Sequence, residues 1–198
     1  MLTEPKVYLA GPDVFLSNAR EVATAKVKLC STYGFLGISP LDNELGALRL
    51  PPAETMKRIS SSNEYLIRTS HLVIANLTPF RGPSVDVGTA YEVGFARALG
   101  LPVFGYSNVE GTLLQRTRCC LGAKVSERPS GKFEDSYQMM IENFNGFDNL
   151  MLVGALLSSG NDVVITAVPD AMRFTELSGF EACLKKAAQT LQTLGIRA

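Results

Sequence analysis

The sequence has few of the residues on which histidine and metal chemistry depend. His71 is its one histidine, so a multi-histidine metal site is excluded and a His-based triad would need His71 itself. We place His71 at the start of a strand, where a structural role is expected. The four cysteines (Cys30, Cys119, Cys120 and Cys183) show no metal-ligand spacing, and the adjacent pair is a poor disulfide framework. We therefore expect reduced thiols and a cytoplasmic protein.

The sequence also lacks net charge and long hydrophobic runs. Its 19 Lys and Arg residues offset 19 Asp and Glu residues, so a nucleic-acid polymer is not an expected partner. The longest apolar runs, such as 149–157, are too short to span a bilayer, and the first residues carry no signal-peptide pattern. With 46% hydrophobic residues, the 198 residues are expected to form one domain, with a C-terminal helix at about 176–194 as an extension.

Short apolar strands alternate with helical segments along the chain. Strands are predicted at 6–10, 35–38, 72–75, 102–106 and 162–166. Helices are predicted at 18–33, 52–68, 87–99, 134–143 and 176–194, with a further helical stretch at 112–118 and a polar loop at 41–51. This alternation predicts an α/β fold with a doubly wound, parallel, five-stranded sheet and helices on both faces. Ligands of such sheets bind at the carboxyl ends of the strands.

One carboxylate lies in an otherwise apolar helical pattern. Between Val87 and Gly100 the charged residues are Glu92 and Arg97 alone. Removing a carboxylate from water costs free energy unless a partner or a reaction offsets it. Because the segment follows a buried strand and a turn rich in Gly and Pro, Glu92 is expected near the ligand-binding edge of the sheet. We interpret Glu92 as a nucleophile; the alternative is a half-exposed acid that the helix dipole favours.

Other polar residues are expected to reach the same crevice. Tyr8 ends the first strand, Asn63 lies in the helix before the third strand, and Asp86 lies just before the helix that carries Glu92. The ends of the first, third and fourth strands converge in a doubly wound sheet, so these groups can meet. Asn149 lies in an irregular region before the last strand and has no obvious reason to reach that crevice within one chain.

Four blocks of sequence resemble the nucleoside 2-deoxyribosyltransferase family and occur in the family's order. They are Val-Tyr-Leu-Ala-Gly-Pro at 7–12, Val-Ile-Ala-Asn-Leu-Thr-Pro-Phe-Arg-Gly at 73–82, Asp-Val-Gly-Thr-Ala-Tyr-Glu-Val-Gly at 86–94 and Asn-Leu-Met at 149–151. The resemblance implies a flavodoxin-like fold and exchange of the base of 2'-deoxyribonucleosides through a covalent deoxyribosyl-enzyme intermediate, as a step of nucleoside salvage. It implies free purine or pyrimidine bases as the other substrates, and no metal or organic cofactor.

The resemblance also assigns catalytic roles. Glu92 would attack the anomeric carbon and form a glycosyl ester, so that two displacements retain the configuration. Tyr8 would donate a hydrogen bond that orients the Glu92 carboxylate, unless it only packs in the sheet. Asp86 would supply and remove the proton of the base; its alternative role is an ordinary helix N-cap, and the two roles are compatible.

Four further positions are implied to bind the substrate. Asn63 would hydrogen-bond the base, or else lie on a solvated helix face. Gly11 and Phe15 would line the base pocket, the glycine by close backbone approach and the phenylalanine by stacking. Asn149 would reach the site of a neighbouring subunit and hold the 5'-hydroxyl of the sugar bound there. Its alternative role is that of a turn residue in a loop. Shared sites imply a homo-oligomer with an even number of subunits, built on dimers, with dimer, tetramer and hexamer all open.

The chain departs from the small members of the family in two segments, 107–131 and 174–198. We expect both to contact other subunits, and the first to shape the entrance for the base. Two other functions stay open. A nucleoside 5'-monophosphate N-glycosidase would need a basic or serine-rich cluster near the 5' end of the sugar, and the sequence offers none. A protein that binds nucleosides without turning them over would gain little from Glu92 in an apolar pocket.

Overall fold

The computed structural model describes residues 4–42 and 50–193, and most of its strands belong to one parallel sheet. In chain order the strands are β1 Lys6–Ala10, β2 Leu36–Ile38, β3 Leu72–Asn76, β4 Val103–Ser107, β5 Ser126–Glu127, β6 Phe133–Glu134, β7 Met140–Ile141 and β8 Val164–Ile165. The parallel sheet has the order β2-β1-β3-β4-β8, and β5, β6 and β7 form a small antiparallel sheet. The predicted flavodoxin-like α/β fold is confirmed.

Helices cover both faces of the parallel sheet. They are α1 Ala19–Thr32, α2 Pro52–Arg68, α3 Val87–Ala98, α4 Leu113–Leu121, α5 Leu150–Leu157 and α6 Ser178–Thr193. Side chains alternate between the faces along each strand. On β1, Val7 and Leu9 pack in the cluster that includes residues of α1 and α6, whereas Tyr8 packs in the cluster that includes residues of α2, α3 and α5. The register of β1 therefore directs Tyr8 toward the helix that carries Glu92.

Local sequence accounts for several element boundaries. Asp86 caps α3, since its Oδ2 accepts the Thr89 N–H at 2.9 Å. Thr112 begins α4 with a capping box, so the helical stretch predicted at 112–118 is confirmed and extends to Leu121. Gly34 has a positive φ of 77° directly beyond α1, where the sequence predicts the end of that helix. His71 has the predicted structural role, because its Nδ1 accepts the Lys6 N–H at 2.9 Å.

The predicted helix at 134–143 is wrong, because this segment forms a β-turn between two short strands. Asp135 accepts the N–H groups of Tyr137 and Met139 at 2.9 and 3.0 Å, and Gln138 has a positive φ of 63°. An aspartate that binds backbone N–H groups ahead of it favours a turn over a helix. The structure thus has the antiparallel pair β6 and β7 here.

Two other predictions need correction. The region around Asn149 is not irregular, because Asn149 caps helix α5. The last strand of the sheet is shorter than the predicted 162–166. The predicted loop at 41–51 lies mostly outside the described residues. None of the helices within 4–42 and 50–193 is long and apolar enough to cross a membrane.

Candidate active site

Glu92 lies where α3 faces β1 and α2. The Tyr8 hydroxyl donates a hydrogen bond to Glu92 Oε1 at 2.5 Å, and Asn63 Nδ2 donates to the same oxygen at 3.4 Å. Both donors are neutral, and both contact Oε1 rather than Oε2. The carboxylate is therefore held by one oxygen, and Oε2 is the atom available for attack on a substrate. The structure brings together three of the residues that the sequence predicts for the site.

The surroundings of Glu92 shift its protonation toward neutral pH. Burial is the largest cause that raises the pKa of the Glu92 carboxyl to about 7, and the negative charge of Asp86 adds to the rise. The hydrogen bonds from Tyr8 and Asn63 lower this pKa and so oppose the rise. Burial and the neighbouring Glu92 charge also raise the pKa of the Tyr8 hydroxyl, which keeps it a donor. A carboxyl group whose pKa is strongly shifted by desolvation is a candidate for chemistry.

Asp86 begins α3 about one and a half turns before Glu92. Its Oδ2 accepts hydrogen bonds from the backbone N–H and the hydroxyl of Thr89, at 2.9 and 3.1 Å. The capping role is therefore present in the structure, and it fixes the carboxylate near Glu92. Both bonds go to Oδ2, so Oδ1 receives neither of them. The proton-transfer role of Asp86 stays a prediction that this geometry permits.

The loop after β1 carries the two residues predicted for the base pocket. Gly11 leads into a 3₁₀ turn at Pro12–Phe15, and a Cβ atom on Gly11 would lie 2.8 Å from the Cβ of Asn76. The close backbone approach at Gly11 is thus made to β3. Phe15 is 58% exposed and stacks on Phe80, with ring centroids 5.3 Å apart. An exposed ring that is supported from behind can stack on a planar base.

A buried ion pair beneath this loop is not predicted from the sequence. Lys26 of α1 pairs with Asp13, whose other oxygen accepts a hydrogen bond from Asn76 Nδ2 at 2.5 Å. Lys26 is almost completely buried, between Val22 and Cys30 on the inner side of α1. A lysine in the apolar stripe of a helix is the signal that could have indicated a buried partner. The pair anchors the loop that presents Phe15.

Asn149 lies on a different side of α3 from Glu92. It lines a groove between α3 and α5, and the α3 residues that line this groove are Val93 and a set at spacings of three and four, Val87, Ala90, Gly94 and Arg97. At 3.6 residues per turn, Glu92 projects from the opposite side of the helix. The Asn149 side chain accepts the Met151 N–H at 3.0 Å and donates to Glu142 Oε1 at 2.6 Å. The structure therefore does not bring Asn149 to the Glu92 cluster of its own chain.

The cluster around Glu92 contains carboxyl, phenol and amide groups. In the part of the chain that the structure describes, no three His, Cys, Asp or Glu side chains are arranged to hold a metal ion. The chemistry that these groups can perform is nucleophilic attack by a carboxylate, with a second carboxyl group nearby for proton transfer.

Comparison with known proteins assigns the family. A family model described as "Nucleoside 2-deoxyribosyltransferase" matches residues 7–151. The chain belongs to the nucleoside 2-deoxyribosyltransferase family. The matched range contains Tyr8, Asn63, Asp86, Glu92 and Asn149, so each of these positions lies in the family domain. Membership supports a function like that of the nucleoside deoxyribosyltransferases, and it implies nucleoside substrates.

Individual relatives are similar to the protein over most of the chain. An uncharacterized protein of Schizosaccharomyces pombe is 29% identical in an alignment of 180 residues that covers 85% of each chain. A 2-deoxyribosyltransferase from Leishmania mexicana has a similar structure, with a TM-score of 0.62 and 25% identity, over 93% of this chain and 97% of that one. A conserved protein from Enterococcus faecalis shares the fold, with a TM-score of 0.53 and 18% identity over 92% of this chain and 98% of that one. The deoxyribosyltransferase fold thus extends beyond the 7–151 range of the family model.

Proposed function

We propose that the protein exchanges the base of 2'-deoxyribonucleosides through a covalent 2-deoxyribosyl–Glu92 intermediate. The observation that carries this proposal is the state of the Glu92 carboxylate, which is largely buried and is held through Oε1 by two neutral donors. A carboxylate stabilised by a cation would be a weaker nucleophile. Family membership supplies the substrate class, and the site supplies the nucleophile.

In the first half-reaction, Glu92 Oε2 attacks C1' of the deoxynucleoside. A C1'–O bond forms as the C1'–N bond breaks, and the electron pair of that bond goes to the departing base, which takes a proton from the carboxylic acid form of Asp86 and leaves its carboxylate. In the second half-reaction a ring nitrogen of another base attacks C1', the ester C1'–O bond breaks, and Asp86 receives the proton of the incoming base. Each step inverts C1', so the product keeps the original configuration.

Asn63 and the loop after β1 would select and orient the base. The Asn63 amide cannot shuttle protons as an acid does, so we assign it hydrogen bonds to the carboxylate and to the base. Phe15 would stack on the base, supported from behind by Phe80. Gly11 would keep the backbone of that loop close to the sheet, since a side chain there meets Asn76.

Asn149 would serve the site of a second copy of this chain. Its groove lies on the side of α3 that faces away from Glu92, and its edges expose Val87 and Met151 by 84% and 74%. Apolar side chains exposed around a groove indicate a protein contact surface. We therefore propose a dimer-based homo-oligomer in the cytoplasm, in which Asn149 holds the 5'-hydroxyl of the neighbour's substrate, and a role in nucleoside salvage.

The proposal is tested by intact-mass spectrometry and a base-exchange assay. Wild-type protein incubated with deoxyinosine or thymidine and no acceptor base should gain the mass of one 2-deoxyribosyl group. Glu92→Ala should gain none and should lose base exchange by at least about 10³-fold, as expected when a nucleophile is removed. Glu54→Ala, which changes an exposed carboxylate on α2, is the matched control and should behave as wild type.

Three results would overturn the assignment. Base exchange retained by Glu92→Ala would show that Glu92 is not the nucleophile. Hydrolysis of deoxynucleoside 5'-monophosphates in preference to nucleosides, with no base exchange, would identify an N-glycosidase instead. Binding of nucleosides without turnover or a mass change would identify a non-catalytic protein.

A further inference from the structure

Arg116 of α4 is a nearly buried cation that connects three loops. Its Nε donates to the Pro83 carbonyl at 2.7 Å, and its Nη1 donates to the Gly111 carbonyl at 2.6 Å. Its Nη2 donates to the Phe147 carbonyl and to Asp148 Oδ2, the latter at 3.2 Å. The guanidinium also lies 4.2 Å from the centroid of the Phe147 ring. All three of its nitrogens are thus satisfied, by the adjacent loop at Gly111 and by two segments that are 33 and 31 residues away along the chain, at Pro83 and Phe147.

Asp148 completes the network on the other side. It is 3% exposed, and its Oδ1 accepts the Ser84 hydroxyl at 2.5 Å and the Asn149 N–H at 2.8 Å. Its Oδ2 accepts the Val85 N–H at 3.2 Å in addition to Arg116. Four donors therefore converge on one carboxylate that is almost wholly removed from water. A buried carboxylate with all its acceptor positions used holds its neighbours in one arrangement.

The positions of these partners along the chain give the network its meaning. Ser84 and Val85 directly precede Asp86, where α3 begins, and Asp148 directly precedes Asn149, where α5 begins. One buried ion pair thus fixes the starts of both helices with respect to each other. One start carries the candidate proton-transfer group of the chain's own site, and the other carries the residue proposed to serve the neighbouring site.

We propose that Asp148 and Arg116 are positioning residues that fix the backbone at Asn149, so that its side chain can hold the 5'-hydroxyl of the substrate in the neighbouring subunit. This inference rests on the proposed function. Loss of the Asp148 charge in one subunit should disturb recognition of the sugar 5' end in the site of the other subunit. The hydrogen bond to the 5'-hydroxyl is sensitive to such a disturbance, because a small displacement of a positioned group is enough to lose its contribution to binding.

The first test compares two donors, a 2'-deoxynucleoside and the 2',5'-dideoxynucleoside with the same base. Wild-type protein should prefer the donor with the 5'-hydroxyl by about tenfold or more in kcat/KM, as expected for one well-placed hydrogen bond. In Asp148→Asn this preference should fall toward one, through a raised KM for the hydroxylated donor. Exchange with the dideoxy donor should change by less than about twofold, because Asp86 is also held by its own hydrogen bonds from Thr89. The control is Glu134→Gln, which alters the Arg128–Glu134 pair of the small antiparallel sheet.

The second test mixes subunits. The Asp148→Asn variant keeps Glu92, and the Glu92→Gln variant keeps Asp148 and therefore an intact start of α5 at Asn149. An oligomer formed from both variants contains a site with the Glu92 of the first and the Asn149 of the second, and that site should regain the preference for the 5'-hydroxyl. Arg116→Lys, which keeps the charge without the fork of donors, is the second variant if Asp148→Asn does not fold, and it should show the same loss and rescue.

Equal loss with both donors would overturn the inference, since that is the result of a merely structural role. Failure of the mixed oligomer to regain the preference would overturn it as well. These outcomes are distinct from failure of the proposed function, in which wild-type protein itself neither exchanges bases nor acquires a deoxyribosyl group. If the wild type does both and Asp148→Asn keeps the 5'-hydroxyl preference, the positioning role alone is wrong.

Discussion

Glu92 and Asp13 are two carboxylates removed from water in the same fold, and they are compensated in opposite ways. Asp13 pairs with Lys26 and accepts a hydrogen bond from Asn76. Within residues 4–42 and 50–193, Glu92 forms no salt bridge, and its hydrogen bonds come from the neutral groups of Tyr8 and Asn63. The difference fits a structural role for Asp13 and the proposed nucleophilic role for Glu92, because a nearby cation stabilises the charge that a nucleophile must give up.

The comparison can be tested first at the ion pair. Lys26→Met removes the cation and leaves Asp13 buried beside Asn76, so we expect the free energy of unfolding to fall by about 3–5 kcal/mol. Equilibrium urea unfolding at fixed protein concentration measures the change. Arg58→Met breaks the exposed pair with Glu54 on α2 and should cost less than about 0.5 kcal/mol. Equal effects of the two substitutions would mean that burial does not distinguish these pairs.

The sequence predicts the fold and the position of Glu92 for clear physical reasons. Strands and helices alternate in the chain, and α/β packing leaves few topologies for such an order. A carboxylate in an apolar helical pattern indicates partial burial, and the meeting of Tyr8 with Glu92 follows because β1 and β3 are neighbours in the sheet. The four sequence blocks that resemble the family imply the catalytic roles of the site residues, and the geometry of the structure is compatible with these roles.

The parts that the sequence does not predict depend on tertiary contacts. Lys26 and Asp13 are 13 residues apart, and neither carries a local sign that the other is its partner. Arg116 finds its acceptors at carbonyl groups, which leave no signature in the sequence. The helical prediction at 134–143 fails because the side chain of Asp135 turns the backbone back on itself.

A second prediction concerns the cost of leaving Glu92 without a cation. Its pKa is about 7 in the folded protein and near 4.5 when unperturbed. Below pH 4.5 the Glu92 carboxyl is protonated in both the folded and the unfolded state and does not affect the free energy of unfolding. Between pH 4.5 and 7 the carboxyl ionises in the unfolded state, which lowers the free energy of unfolding. Above pH 7 this penalty has its full value. At about 1.4 kcal/mol per pKa unit, that penalty is about 3 kcal/mol.

Glu92→Gln should therefore stabilise the protein, and only at high pH. We expect the free energy of unfolding to rise by about 2–3 kcal/mol at pH 8 and to change little at pH 4.5, because glutamine resembles the protonated acid. Urea unfolding of both proteins across this pH range measures the difference. A gain that does not depend on pH would show that Glu92 ionises as an ordinary carboxylate and that its contrast with Asp13 is not one of charge. Stability gained at the expense of activity is typical of active-site substitutions.

The smallest expected effect concerns how Tyr8 acts on Glu92. Its hydrogen bond lowers the pKa of the carboxyl, so in Tyr8→Phe that pKa should rise above about 7. Since the ionised form attacks, the acidic limb of the kcat/KM profile should move about one unit to higher pH, with about fivefold loss at pH 7 and recovery near pH 9. Tyr91→Phe is the matched control, because Tyr91 is an exposed residue whose hydroxyl donates to Glu64, away from Glu92. A uniform loss at every pH, with the limb unmoved, would mean that Tyr8 orients the carboxylate without tuning its charge. In that case the neutral donors around Glu92 would fix the orientation of its carboxylate. The difference between Glu92 and Asp13 would then rest only on the absence of a cation beside Glu92.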